Sequence, residues 1–592
     1  MRLFIRMTIL LSAVLSVLTA CNVSVVEDVL QTERSTVIHY SATVNEVSAT
    51  KATFDGSNYV FETGDKLVVT GTNISGELTI RAEDAGKTTG AIFEGDLTYT
   101  GAGTPAASQM LNVTLQSTSM ASPDVSYSSA LAPTLAEAVQ KFSNLTATGT
   151  YGEKTFSLEQ NSSFVEFNLT FNDGTTISDG SYTAKISDES TTPYNAAANV
   201  QVSGDEAHFF AAFPGGQVLL YPKVTINYKD FPLVLPSITL AANTLYQVTK
   251  TRQATIDLSA VTADVSIPAN SVVRVTGSGT ARTITAGGGS AVTLVDATAQ
   301  RLVISGNAML RLEGDNILSL QDGATWSLTT AAGSTVTIRG DGSLTSTRTG
   351  WYQNGGCISG GNTDFIIEGG TLNMRAGSGE KKGQSVAVSV RNLTMKGGKI
   401  TARGGQNDAG TDSNPYTSRW DAINASGDVL IENGTLEADG AHGIRAEGDL
   451  TIRGGEVTAT GAGTRNNNSG LSAGGTLTIS GGTVVATGSG GSPGIGDYGT
   501  CGDILINGGT VMAFGGYGAA AIGTGSEESS CCGNITITSH VDVVYVRKGI
   551  HADYIGRGWS EFSTVGTVTI EDGVNIIYIS NYNGNGQNIT WE

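Results

Sequence analysis

The chain has 592 residues, more than a single domain usually holds, and its 78 glycines and 11 prolines are typical of turn-rich β structure. Its 54 acidic residues against 34 Lys and Arg give a formal net charge of −20. With no basic patch to follow a phosphate backbone, nucleic-acid binding is disfavoured, whereas an acidic surface suits solubility and divalent cations.

The N-terminus has the pattern of an export signal. Arg2 and Arg6 precede an apolar run over residues 7–18, which is too short to span a bilayer but suits a signal sequence. The run ends in LTAC, which resembles the lipobox of bacterial lipoproteins and makes Cys21 the lipidated residue. A cleaved signal with an incidental cysteine is the alternative. Residues 1–21 are therefore predicted to be the signal of an exported lipoprotein on the cell surface, anchored in the outer membrane only through its lipids.

After a linker at 22–36, the chain up to residue 252 carries strand-like runs such as LVVTGT from Leu67 and FVEFNLTF from Phe164. Gly- and Asn-rich turns separate these runs, and no period recurs. The pattern predicts two β-sandwich lobes, 37–145 and 146–252. A helix-like stretch, LAPTLAEAVQKF from Leu131, lies near their boundary.

Three short segments of this region resemble fimbrillin-like proteins, over roughly residues 36–250. They are TKAT from Thr50, FETGDKL from Phe61 and LAANTLY from Leu240. The resemblance implies a pilus subunit or a surface lipoprotein built as a sandwich pair. In polymerising members a protease cuts after an early arginine and frees a groove for a neighbour's strand. Arg34 is the candidate here, and a plain linker arginine is the alternative.

From residue 253 onward a phrase recurs, as in LTIRGGEVTATG from Leu450 and LTISGGTVVATG from Leu477. Its second glycine steps by 28, 36, 21, 27 and 27 residues between Gly370 and Gly509. Apolar residues alternate on both sides of the glycine pair, and a third apolar pair precedes each phrase. Three short strands per repeat predict a parallel β-helix over 253–592, right-handed as such folds usually are. The chain is thus predicted to be all-β. Because the β-helix at the C-terminal end is not an obvious donor strand for a neighbouring pilus subunit, the sequence favours a terminal or stand-alone subunit over a polymerising one.

The repeats also resemble glycine-rich β-helices of carbohydrate-binding domains in Bacteroidota surface proteins, as in GIGDYGTCGDILINGG from Gly494. The longest insertions follow the third strand of each repeat and are expected to lie on one edge. Aromatic side chains in these insertions suit stacking on sugar rings, although covering the apolar stacks is an alternative role. The candidate ligand-binding residues are Trp351, Tyr352, Tyr416, Trp420, Tyr498 and Tyr517.

Two further sites are predicted in the repeats. Asp408 and Asp412 are candidate calcium ligands, although an EF-hand spacing is missing and solvated loop acids are the alternative. No cofactor is required. Cys501 and Cys531 precede equivalent strands one repeat apart. Neighbouring repeats, or rungs, stack about 4.8 Å apart, and this Cα separation lies within the range that a disulfide tolerates. A Cys501–Cys531 bridge is predicted, with stacked free thiols as the alternative.

No motif for catalysis emerges from the sequence. No pair of carboxylates is marked by a flanking pattern, and the five histidines are scattered, with His442 expected in a loop. The predicted function is therefore that of a lipid-anchored surface protein, not an enzyme, which binds an extracellular glycan or polysaccharide through the loop-bearing edge. A fimbrial accessory or tip adhesin with a protein partner is the first alternative. A polysaccharide lyase or hydrolase is the second.

Overall fold

The computed structural model describes residues 35–48, 59–118, 120, 131–174, 177–193, 195–320, 326–347, 356–377, 385–407, 418–463 and 468–579. Strands dominate these residues. Up to residue 253 the elements are β1 (Thr36–Ser48), β2 (Lys66–Gly71), β3 (Ile74–Ile80), a 3-10 turn (Ala82–Asp84), β4 (Ala91–Tyr99), β5 (Met110–Gln116), β6 (Leu131–Ala132), α1 (Leu135–Phe142), β7 (Leu145–Thr150), β8 (Thr155–Gln160), β9 (Ser162–Asn172), β10 (Gly180–Ser187), β11 (Asn195–Ser203), β12 (Glu206–Pro214), β13 (Gln217–Leu220), β14 (Lys223–Ile226), β15 (Lys229–Pro232), β16 (Ser237–Leu240) and β17 (Leu245–Gln253).

The first lobe is a closed barrel with the strand order β1-β4-β3-β2-β5-β7-β8. Neighbouring strands are antiparallel except at the closure, where β1 runs parallel to β8. Tyr59, Phe61 and Phe93 are fully buried in its core. This lobe differs from the predicted sandwich because β1 is paired on both of its edges. It also extends to Gln160, beyond the boundary predicted near 145.

The closure of the barrel bears on the predicted cut after Arg34, a residue outside the described part of the chain. β1 begins at Thr36 and pairs with β4 over its first nine residues, from Thr36 to Val44. A cut after Arg34 therefore leaves β1 whole. Proteolysis at that position would not by itself open a groove in the barrel.

The second lobe is built around β9, which pairs antiparallel with β12 and parallel with β17. Helix α1 precedes it, and the hydroxyl of Thr134 caps this helix by accepting the N–H of Glu137 at 3.2 Å. The helix predicted in this stretch is confirmed. The last residues of β17 stay paired with β9 and also pair in parallel with the next part of the chain, through Thr251–Ser271 and Arg252–Val272. The second lobe and the region that begins at residue 256 thus share a strand.

The strands from residue 256 onward form the repeat array, with bounds β18 (Ile256–Asp257), β19 (Val265–Ile267), β20 (Ser271–Gly287), β21 (Ser290–Ser305), β22 (Ala308–Glu313), β23 (Asp315–Leu318), β24 (Trp326–Thr330), β25 (Thr335–Gly340), β26 (Ser343–Thr347), β27 (Gly356–Ile367), β28 (Thr371–Arg375), β29 (Val388–Met395), β30 (Lys399–Arg403), β31 (Gln406–Asn407), β32 (Ser418–Arg419), β33 (Ile423–Ala425), β34 (Val429–Ile431), β35 (Thr435–Gly440), β36 (Ile444–Ala446), β37 (Leu450–Ile452), β38 (Glu456–Gly461), β39 (Leu471–Ala473), β40 (Leu477–Thr487), β41 (Ile495–Asp497), β42 (Thr500–Cys501), β43 (Ile504–Phe514), β44 (Ile522–Thr524), β45 (Cys531–Cys532), β46 (Ile535–Ile537), β47 (Val543–Arg547), β48 (Ile555–Gly556), β49 (Thr564–Val565), β50 (Val568–Ile570) and β51 (Ile576–Tyr578).

These strands pair in parallel from one repeat to the next and form three stacks. In the later rungs, the first stack contains β34, β37, the first part of β40, the first part of β43 and β46. The second contains β35, β38, the last part of β40, the last part of β43 and β47. The third contains β33, β36, β39, β41, β44 and β48.

The repeated glycine forms the corner between the first and second stacks. Gly370, Gly398, Gly434, Gly455, Gly482 and Gly509 all have φ between 75° and 99°. A side chain would strain the backbone at such a corner. Aliphatic side chains from every rung line the interior, and in the third stack Ile423, Ile444, Leu471, Ile495 and Ile522 are fully buried. Burying each such side chain stabilises the array by about 1.5–3 kcal/mol.

Near the end of the array, the loops on both sides of the third stack fold across its outer face. Ser526 donates its N–H to the carbonyl of Gly491 at 2.8 Å, and Trp559 donates its N–H to that of Gly518 at 2.7 Å. Each bond joins a loop that enters the third stack to a loop that leaves it. This crossing positions the side chains of the candidate site.

Candidate functional site

Six of the residues predicted from the sequence fall outside the described part of the chain. They are Cys21, Trp351, Tyr352, Asp408, Asp412 and Tyr416. The predictions for lipidation, for calcium and for these three aromatic residues therefore stay predictions.

The other three predicted aromatic residues do not form one surface. Trp420 is half-buried before β33, and Tyr498 is half-buried after β41, with its carbonyl accepting the hydroxyl of Ser530. Tyr517 is 47% exposed and precedes β44. At about 4.8 Å per rung, the four rungs between Trp420 and Tyr517 separate them by roughly 19 Å along the array.

Tyr517 belongs instead to an exposed aromatic trio with Trp559 and His551. Its ring centroid lies 5.9 Å from that of Trp559, with a 72° angle between the planes. The centroid of the His551 ring lies 5.3 Å from that of Trp559, with a 37° angle between the planes. Trp559 is 50% exposed despite these contacts. The trio thus combines a half-exposed indole with two neighbouring rings that carry polar atoms, a combination that suits ligands with both apolar and hydroxyl surfaces.

Three separate loops build this trio. Tyr517 and His551 come from loops that enter the third stack in successive rungs, and Trp559 comes from a loop that leaves it. The hydrogen bond from Trp559 to Gly518 fixes the third loop against the first. The sequence-based candidates included neither Trp559 nor His551, because the insertion that holds His551 was not among them and Trp559 lies in a loop that leaves the stack. Trp559 could have been found as an aromatic residue in the loop that follows the third-stack strand, one rung after the loop that holds Tyr517.

A second feature of the third stack is a buried polar network of Asp421, His442, Ser472 and Asp497. The His442 ring is 3% exposed, and its Nδ1 lies 2.8 Å from Asp421 Oδ1. Its Nε2 lies 3.7 Å from Asp497 Oδ2, the oxygen that also accepts the hydroxyl of Ser472. These side chains come from four successive rungs. His442 does lie in a loop, between β35 and β36, as the sequence led us to expect, but that loop is covered and the His442 ring is buried.

Burial and charge act in opposite directions on the pKa values in this network. Burial by itself would lower the pKa of His442, but the hydrogen bond and charge of Asp421, with the charge of Asp497, hold it above its ordinary value. Burial by itself would raise the pKa of Asp421, but its hydrogen bond and charge pairing with His442 hold it below the usual range. We therefore describe the pair as a buried ion pair that joins rungs of the array.

The disulfide differs from the predicted one. Cys501 is bonded to Cys532, with the two Cα atoms 4.6 Å apart, and Cys531 is free. The prediction of Cys531 was wrong by one residue. In the parallel ladder between β42 and β45, Cys501 lies opposite Cys532 and Thr500 lies opposite Cys531. A shift of one residue along a strand turns the side chain to the other face.

Thiol labelling checks this arrangement. In soluble residues 22–592, maleimide is expected to react rapidly with Cys531, which is partly exposed, and slowly with Cys357, which is buried. A non-reducing peptide map is expected to show Cys501 linked to Cys532. A map that links Cys501 to Cys531, with Cys532 labelled instead, would contradict the register of β42 and β45.

No protein-family model matches the chain, and no curated protein matches its sequence. Solved structures that match include a proposed cell adhesion protein from Bacteroides uniformis, 11% identical, covering 36% of this chain and 93% of that protein with a TM-score of 0.21. A fimbrial protein from Bacteroides ovatus is 11% identical over 36% of this chain and 49% of its own, with a TM-score of 0.16. The major pilin of Streptococcus pyogenes is 9% identical over 36% of this chain and 98% of its own, with a TM-score of 0.14. Matches with TM-scores this low carry no argument about the fold or role of this chain.

Metal-binding clusters and membrane-spanning helices are both absent from the described residues. No three His, Cys, Asp or Glu side chains among them are grouped so as to hold a metal ion. Within the same ranges, no helix is long and apolar enough to cross a membrane.

Proposed function

We propose that the protein is a lipid-anchored adhesin of the cell surface that binds an extracellular glycan. In this proposal Cys21 carries the anchor, the N-terminal lobes are fimbrillin-like, and the repeat array is a right-handed parallel β-helix. The ligand binds at the aromatic trio of Tyr517, His551 and Trp559. The parallel pairing of three strand stacks supports the β-helix assignment.

The observation that carries the proposal is the exposure of Trp559 beside two further rings. An indole that is 50% exposed leaves a large apolar face in water, although Trp buries its area readily when a partner is present. Tyr517 and His551 add a hydroxyl and an imidazole group next to the indole, with ring centroids 5.9 and 5.3 Å from that of Trp559. Aromatic faces with polar rims suit the C–H and hydroxyl surfaces of a sugar ring.

The test is a glycan and polysaccharide array with soluble residues 22–592, followed by calorimetry on the best ligand in calcium and in EDTA. The Tyr517→Ala/Trp559→Ala double variant is expected to bind at least about 30-fold more weakly, since central aromatic residues of an interface each contribute about 2 kcal/mol or more. The matched control is Phe562→Ala, which removes a 71% exposed ring that lies three residues beyond Trp559. This control is expected to bind as the wild type does.

Other outcomes count against the proposal. Glycan binding that survives in the double variant would place the site elsewhere on the chain. Binding to no glycan would favour the alternative role, in which a fimbrial accessory or tip adhesin has a protein partner. New reducing ends or unsaturated products from the bound polymer would favour an enzyme, which the proposal excludes.

A further inference from the structure

A cleft of about 750 Å³ lies between the second lobe and the first rungs of the repeat array. One wall is the hairpin of β14 and β15, and the other is the outer face of the first stack, from β20 to β25. The shared strand β17 holds the two walls together, because its last residues pair with β20. Clefts of this size between domains are common ligand sites.

The cleft is more basic than the chain as a whole. Its basic side chains are Lys223, Lys229, Arg252, Arg274, Arg311 and Arg339. Its acidic side chains are Asp173, Glu189, Asp230 and Glu313. Six basic groups thus face four acidic groups, within a chain whose formal net charge is −20. Such a local excess of positive charge attracts anions to this place on an otherwise acidic protein.

Two of the arginines are placed to bind a ligand. Arg274 donates to Glu313 at 2.7 Å, and Arg311 donates to the same carboxylate at 3.3 Å. Their side chains are 48% and 57% exposed. Because each guanidinium carries five N–H donors, one shared carboxylate leaves most of these donors facing solvent. Arg339 has a different role, because it bonds Glu189 of the second lobe and thereby ties the two walls together.

An aromatic residue stands at the rim of the cleft. Tyr228 is the second residue of the tight turn between β14 and β15, where Ile226 pairs with Lys229. Asn227 and Tyr228 have φ values of 48° and 61°. Asn tolerates this conformation, but a bulky ring rarely adopts it. Tyr228 is nevertheless 98% exposed, so no packing within the chain compensates for the strain.

We propose that this cleft binds an acidic carbohydrate. Arg274 and Arg311 bind its carboxylate or sulfate groups, and Tyr228 stacks on a sugar ring at the rim. The two arginines lie two rungs apart on the first stack, since Thr293 pairs with both, which spaces them by roughly 9.6 Å along the array. Their guanidinium groups nevertheless converge on the two carboxylate oxygens of Glu313, so together they suit one carboxylate or sulfate group of the ligand. The site is separate from the aromatic trio and does not depend on it.

Calorimetry with soluble residues 22–592 tests the proposal. The probes are a tetragalacturonate, a sulfated heparin tetrasaccharide and neutral cellotetraose, each at low and at high salt. One of the acidic probes is expected to bind, more weakly at high salt, and the comparison between them tells carboxylate from sulfate. The Tyr517→Ala/Trp559→Ala variant is expected to retain this binding. Equal binding of cellotetraose, or no binding of either acidic probe, would overturn the proposal.

Variants place the binding in the cleft. Arg274→Gln/Arg311→Gln is expected to bind the acidic probe at least about tenfold more weakly, since hydrogen bonds to charged groups contribute on that order. Tyr228→Asn removes the ring but keeps a residue that tolerates the turn, and it too is expected to bind more weakly. Glu313→Gln is expected to bind more tightly, because it removes the competing carboxylate. Wild-type affinity in the double arginine variant would overturn the proposal.

The matched control is Arg453→Gln. Arg453 is 59% exposed on a later rung and pairs with Glu432 at 3.4 Å, outside the cleft. It is expected to bind as the wild type does. The arginines changed in the test pair with Glu313 of the array, so the Arg339–Glu189 link between the two walls stays intact. A loss of binding in Arg453→Gln as large as in the double variant would show a general charge effect and overturn the assignment to the cleft.

Discussion

Replacing His442 by alanine is expected to lower the free energy of unfolding of the repeat array by about 3–5 kcal/mol, the usual cost of breaking a buried ion pair. The substitution leaves the carboxylate of Asp421 buried without its 2.8 Å partner. Urea unfolding, followed by intrinsic fluorescence and circular dichroism, measures the loss. The matched control is His540→Ala, an exposed histidine of the same array, which is expected to change the stability by less than about 0.5 kcal/mol.

The same pair predicts how stability depends on pH. Because the pKa of His442 is raised on folding, its contribution is complete below about pH 6.5, the ordinary histidine value, and is lost as the pH rises through the folded pKa. Because the pKa of Asp421 is lowered, its contribution is complete above about pH 3.9 and is lost as the pH falls through the folded pKa. The pair therefore stabilises the array most between these two values.

The pH dependence is measured against a double variant, Asp421→Asn/His442→Gln, which lacks both titrating groups. The difference in unfolding free energy between wild type and this variant is expected to be largest near pH 5 and to shrink towards pH 9 and pH 2. A difference that is constant across this range would show that folding shifts neither pKa, and a minimum near pH 5 would show that the two groups are uncharged in the folded protein.

Replacing Gly523 by alanine is expected to destabilise the end of the array by about 2–6 kcal/mol, from backbone strain and overpacking together. Gly523 has a φ of 131°, and a Cβ there would lie 2.0 Å from the carbonyl oxygen of Gly556 in the next rung. Gly496 packs on Gly523 in the same way, with a Cβ distance of 1.9 Å to its carbonyl oxygen. Gly496, Gly523 and Gly556 lie opposite one another in successive parallel pairings, which hold the rungs at hydrogen-bonded spacing.

The matched control for this prediction is Gly361→Ala. A Cβ at Gly361 would meet nothing within 4 Å, and its φ is not positive. This variant is expected to unfold within about 0.5 kcal/mol of the wild type. Thermal and urea unfolding of the two variants side by side measure the difference. Equal stability of Gly523→Ala and Gly361→Ala would contradict the close contact between the rungs.

The sequence alone located many parts of the repeat array. The alternation of Leu477 and Ile479 and the corner at Gly482 depend on neighbours only a few residues away, so their pattern is visible in the printed chain. Because each rung repeats the last, the same local pattern also placed Tyr517 in an exposed loop. Helix α1 was likewise visible, since capping and helical periodicity are local.

Only the tertiary structure decided which residues meet. Trp559 reaches Tyr517 across 42 residues because two loops cross the outer face of the third stack, and Cys501 meets Cys532 because of the register of one parallel ladder. Contacts between distant parts of the chain also determine three other features. They are the closure of the barrel by β1 and β8, the cover over His442 and the cleft beside Tyr228. Local patterns determine where strands and corners form, but register and loop crossing depend on packing between them, which no short stretch of sequence encodes.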